Sequence, residues 1–141
     1  MSKQSVKGPL DEHVETFKKE LRRLDELTAD RLVEIARVVG EDLKVRDIKL
    51  NQIRRFLDGV RKVEADLSRR DADFSRVRDK IVLLQPKLAY AAGRHSELRK
   101  FAEILEAAVR SGAEKEENFW KLLRFIEGVI AYHRFYGGKE S

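Results

Sequence analysis

Cysteine is absent from this chain of 141 residues. Disulfides, thiolate metal sites and cysteine nucleophiles are therefore excluded. Proline occurs only twice and glycine eight times, which suits a mostly helical chain. No apolar run approaches the roughly 20 residues needed to cross a bilayer, and Met1 to Leu10 lacks the apolar core of a signal peptide. The chain reads as soluble and cytoplasmic. Catalytic constellations are missing as well. His13, His95 and His133 stand far apart without ligand spacing, and there is no HExxH, Walker loop, GxSxG or paired-aspartate motif. Carboxylates alternate with Lys and Arg, as on solvated helix faces. The expectation is a non-enzymatic protein with no catalytic residues, no cofactor and no metal.

What is present is charge, unevenly placed. Hydrophobic residues make up 42% of the chain, ordinary for a globular protein, and charged residues a high 39%. Residues 1–43 hold 8 Lys/Arg against 10 Asp/Glu, residues 101–141 hold 6 against 7, and residues 44–100 hold 16 against 8. The excess positive charge, net +8, thus lies in the middle segment. A basic face of this kind meets a polyanion or serves solubility.

Apolar residues recur at three- and four-residue spacing, never with period two, so the fold class is all-α: a compact bundle of five to six helices. One domain spans residues 1–141, with 1–10 flexible and 137–141 a C-terminal tail. Val14, Phe17, Leu21 and Leu24 mark a first helix starting near Asp11. Thr28 caps a second that Gly40 ends, followed by an irregular piece from Glu41 to Asp47. The stripe Ile53, Phe56, Leu57, Val60, Val63 and Leu67 predicts a third. Phe74 to Leu88 predicts a fourth running to Gly93, which Pro86 either kinks or restarts after Gln85. Ser96 caps a fifth, closed by Gly112, and Ser111-Gly112-Ala113-Glu114 has capping-box spacing for the last. That last helix is apolar nearly all round, so it is central or pressed against a partner. Gly128 on it suggests close helix approach.

Basic residues form rows. Arg55, Lys62 and Arg69 lie seven apart, with Arg54 and Arg61 in the adjoining row. Arg76 and Arg94 are 18 apart, five helical turns, and Lys80 and Lys87 fall within roughly 40° of their line if Pro86 only kinks the helix. Two such stripes could line a groove that binds phosphates and carries little base information. The other reading is a helical protein–protein adaptor whose basic surface binds no nucleic acid.

Three segments add to this: Leu50-Asn51-Gln52-Ile53-Arg54-Arg55-Phe56, Leu84-Gln85-Pro86-Lys87-Leu88-Ala89-Tyr90-Ala91-Ala92-Gly93-Arg94, and Ala131-Tyr132-His133-Arg134-Phe135-Tyr136-Gly137-Gly138. In order and spacing the set resembles the small subunit of type III-A CRISPR effector complexes, the Csm family, from about Leu32 to Gly138. Members usually place Thr or Ser before Gln-Ile-Arg; here Leu50 and Asn51 stand there, and Asn51 is the expected cap.

The resemblance implies a helical bundle in several copies, self-associated in an inner filament along the backbone of the duplex that guide RNA forms with single-stranded target RNA, and touching other subunits of the effector complex. It also implies a subunit that does not itself cut. By position it carries Arg54, Arg55, Lys87 and Arg94 as RNA-binding residues, and Lys80 joins them from the stripe. Trp120, Tyr132, Phe135 and Tyr136 are assigned to a subunit interface or the core. Tyr90 matches too, but a tyrosine on the apolar edge of a helix reads as packing, and His133 and Phe135 read as structural.

Overall fold

The computed structural model describes residues 6–141. Among them are seven α-helical segments and no strand: α1 (Val14–Leu21), α2 (Ala29–Val45), α3 (Arg54–Leu67), α4 (Phe74–Val82), α5 (Leu84–Arg94), α6 (Arg99–Gly112) and α7 (Glu116–Phe135). Only Leu83 separates α4 from α5, so the architecture is six rods, all-α as the periodicity predicts. The apolar faces meet in one continuous cluster, with Phe17, Ile35, Phe56, Ile81, Leu105, Phe119 and Phe125 inside it. Of the residues expected to be flexible, 1–5 lie outside the described ones. By Leu10 the chain is anchored, its buried side chain in the core and its N–H donating to Asp42 at 3.1 Å.

α2 differs from its expected length. Thr28 does cap it, accepting from the Arg31 N–H at 3.1 Å, but Gly40 does not end it. A Cβ at Gly40 would lie 2.7 Å from the Val129 carbonyl oxygen and 2.8 Å from the His133 nitrogen. This glycine is a contact point between α2 and α7, and the helix continues to Val45. The irregular piece shrinks to a short turn with Asp47 at φ 58°. Gly128 plays the same part from the other side, its missing Cβ leaving room for Ala36.

Other starts and stops are corrected likewise. The rod of α4 and α5 breaks at Leu83, ahead of Pro86, which thereby sits in the first turn of α5 where a missing donor costs little. Ser96 makes no cap, and α6 is entered through a 3-10 turn at Ser96–Leu98. Ser111 belongs to α6, fully buried, with its hydroxyl accepting from the Leu24 N–H at 3.0 Å. The expected capping box is thus not formed, and α7 starts after Lys115.

α7 is central, packed on α2 and α6 and burying Phe119, Leu122, Phe125, Ile126 and Val129. It ends in a Schellman turn: the Gly138 N–H donates to the His133 carbonyl at 2.7 Å and the Gly137 N–H to the Arg134 carbonyl at 2.9 Å. Gly137 takes φ +99° there. Gly138 lies flat on the His133 imidazole, with no room for any side chain.

Candidate nucleic-acid interface

The start of α3 is made by the end of the chain. Past the Schellman turn, the carbonyls of Lys139 and Glu140 accept from the N–H groups of Leu50 at 3.1 Å and Asn51 at 2.9 Å. These two donors open the 3-10 turn Leu50–Ile53 that leads into α3. The Gln52 side chain accepts from the Lys49 N–H at 2.7 Å, and buried His133 donates from Nε2 to the Ile48 carbonyl at 2.8 Å. Asn51 makes no side-chain cap for α3, whose N-cap position is Ile53, and the tail backbone instead caps the turn that precedes the helix. The C-terminal segment folds back to fix where Arg54 and Arg55 stand.

From that start, α3 turns Phe56, Val60, Val63 and Leu67 inward. Arg55, Gly59 and Lys62, at i, i+4 and i+7, share the flank toward α5. A Cβ on Gly59 would lie 2.7 Å from Leu84 Cδ2 and 3.1 Å from Lys87 Cε, so the missing side chain lets α5 approach α3 closely. α5 buries Leu84, Leu88, Ala91 and Ala92, and its Lys87, Tyr90 and Arg94, at i, i+3 and i+7, share the facing side.

The outcome is an open groove between the beginning of α3 and α5. Arg54, Arg55, Lys87 and Arg94, with Asn51 and Tyr90, line it. A second depression continues from it, sharing Arg55 and Lys87 and adding Lys62, Lys80 and Asp58. All five residues expected to bind RNA thus meet along one surface. They do not meet as one stripe. The break at Leu83 ends the 18-residue alignment, and Arg76 falls outside the groove, its nearest carboxylate being Asp73 at 3.8 Å.

Their electrostatic states differ. Arg54 is ion-paired with Glu140 of the tail, and Lys80 with Asp66 at 2.7 Å. Lys80 holds the Asp66 carboxyl below its ordinary range, chiefly by that hydrogen bond. Arg55, Lys87 and Arg94 have no carboxylate partner among the described residues. Tyr90, read from sequence as packing, is instead 50% exposed. Arg55 places its guanidinium carbon 5.2 Å from the ring centroid, and Arg94 donates to the phenol oxygen at 3.4 Å. The Arg94 hydrogen bond and then the two positive charges hold the phenol below the usual tyrosine range. The spacing of Tyr90 from Lys87 and Arg94 was the signal for its place on the polar side.

The four aromatics assigned to interface or core divide. Trp120 is partly buried, edge-on to Phe119 at 5.6 Å, and donates to Glu116 at 3.1 Å. Tyr132 lines an apolar depression between α2 and α7 with Leu32, Val33 and Ala36. Tyr136 is half-buried beside Arg37, and hydrogen bonding to it shifts the guanidinium pKa upward. Phe135 is not core: it is 73% exposed, edge-on to Tyr136 at 5.0 Å. It stands on the last turn of α7, where the helix has passed its buried stretch.

Among the described residues no helix is long and apolar enough to cross a membrane, and no three His, Asp or Glu side chains gather as a metal site. Compared with known proteins, the chain matches the family model described as Csm2 Type III-A over residues 26–139. No curated protein matches it.

Proposed function

The chain belongs to the Csm2 family, small subunits of type III-A CRISPR effector complexes, and from that premise we propose that its α3–α5 groove binds RNA along the backbone. Arg55, Lys87 and Arg94 carry the contact, and Arg54 and Lys80 extend it. The protein acts in the cytoplasm as a non-catalytic scaffold, several copies stacking into the inner filament beside guide and target RNA. Exposed Phe135 at the end of α7 serves the neighbouring subunits, and Tyr132, Tyr136 and Trp120, which are partly buried, serve the core and that same interface.

The observation that carries this reading is the gathering of three cations without carboxylate partners in one groove. Cations that serve only solubility are spread out or paired, as Arg22 with Glu114 and Arg124 with Glu127 are here. Phosphates would enter without displacing any ion pair at those three positions. Release of their counterions makes such binding fall steeply with salt.

The test is RNA affinity of the full chain against salt, for wild type and for Lys87→Glu with Arg94→Glu. Reversal should weaken binding at least tenfold at low salt and flatten the plot of log affinity against log salt by about 0.7 per phosphate lost. Both side chains project from the helix surface, so circular dichroism should be unchanged. Unaltered affinity in the folded double variant would remove the groove from the RNA path. The adaptor reading draws on exposed Phe135 and Val33, and it requires partner binding that ignores moderate salt and that RNA does not compete for.

A further inference from the structure

Tyr90 is more than the groove's wall. Phosphate binding needs cations and donors; it has no use for an aromatic ring held half in solvent. Yet the ring sits among the groove's cations, with Arg55 lying against it and Arg94 tethering its hydroxyl. The two contacts fix the ring at both ends: one across the π-face, one at the phenol oxygen. They leave half of the side chain exposed.

We infer that Tyr90 is a stacking platform for an unpaired nucleobase, framed by Arg55 and Arg94, so that the groove holds an unpaired nucleotide beside the RNA backbone it binds. This rests on the reading of the groove as an RNA path and names what enters it. Bases stack on aromatic rings and on guanidinium planes, without sequence preference, because every base has a π-face. The same two arginines that orient the ring stand beside it for the flanking phosphates. A nucleotide can therefore set its base on Tyr90 while its phosphates meet Arg55, Lys87 and Arg94. A base already paired and stacked within a helix has no face to offer.

The experiment compares wild type, Tyr90→Leu and Tyr90→Phe, as full chains, on a labelled single-stranded RNA and on the same strand annealed to its complement. Tyr90→Leu should weaken single-strand binding roughly five- to tenfold and leave duplex binding and the salt slope unchanged. Tyr90→Phe keeps the ring and should stay within about twofold. A single strand carrying 5-iodouridine should photocross-link to residue 90 in wild type and lose that product in Tyr90→Leu. Equal losses on single strand and duplex, or no loss on either, would overturn the stacking site. Arg55→Ala separates the two readings. If it weakens binding while Tyr90→Leu does not, only the platform fails; if neither matters, RNA does not use the groove at all.

Discussion

Two helix pairs in this molecule are each joined at a glycine, and they come out opposite. Between α2 and α7, Gly40 admits backbone: the Val129 carbonyl and the His133 nitrogen lie where its side chain would be. Gly128 faces back toward Ala36, and the seam closes. Between α3 and α5, Gly59 admits only side chains, the tips of Leu84 and Lys87. That seam stays open on its outer side, where the cations gather. Backbone against backbone yields a rigid joint. Side chain against a helix surface yields a cleft that can still adjust to a ligand. The protein has put its stability in the first and its free charge in the second.

The sharpest way to break the comparison is to add the same methyl to both. Gly40→Ala drives a Cβ into backbone that cannot rotate away, and should cost about 3 kcal/mol in urea unfolding, the upper end of overpacking penalties. Gly59→Ala meets a leucine terminus and a flexible lysine, and alanine's better helix propensity returns up to about 1 kcal/mol. Its net effect on stability should lie within about 1 kcal/mol of zero. RNA affinity should respond the other way round, because the new methyl pushes on Lys87. Equal stability losses in the two variants would show that the seams are alike.

His133 sharpens the closed side. Its Nε2 is bonded to the Ile48 carbonyl while its Nδ1 is buried without a partner. His133→Leu fills the same space but strands that carbonyl, and should cost roughly 2 kcal/mol, as for a buried acceptor left alone. Because the Ile48 carbonyl lies just ahead of the turn into α3, the variant should also disorder the start of that helix. Faster amide exchange at Leu50 and Asn51 than in the rest of α3 would reveal this. Uniform exchange would mean that the histidine supports only the core.

How much of this was legible in the sequence follows the same divide. The helix stripes were readable because burial repeats every three to four residues. Arg54, Arg55, Lys87 and Arg94 were readable because they fall in the motifs that carry the resemblance, whereas the continuous stripe that added Lys80 is broken at Leu83. Gly40 was misread as a terminator: a glycine that ends a helix and one that lets two helices touch look identical until the second helix is in place. Ser111 was misread as a cap for a similar reason, since its partner, Leu24, is 87 residues away in the chain. Tyr90 was misread because its position between Leu88 and Ala91 outweighed its spacing from Lys87 and Arg94. The cap of the turn ahead of α3 could not have been foreseen from the residues beside it. It comes from tail carbonyls, and backbone carbonyls carry no signature in a sequence.

That tail supplies the smallest effect and the most selective one. Glu140 contributes two separable things: a carbonyl that caps the Asn51 N–H, and a carboxylate paired with Arg54. Glu140→Gln removes only the second. The cap survives, so thermal stability should be unchanged, whereas Arg54 gains freedom and the groove loses its nearest tail carboxylate. RNA affinity should rise about two- to threefold at low salt, and the gain should fade as salt screens an exposed charge. Deleting residues 139–141 removes the carbonyls as well, leaves two orphan donors at the helix start, and should cost about 1 kcal/mol. If Glu140→Gln weakened binding instead, the Arg54–Glu140 pair would be positioning the groove rather than competing with phosphate for it. The open seam would then depend on the tail for its shape as much as the closed seam depends on its glycines.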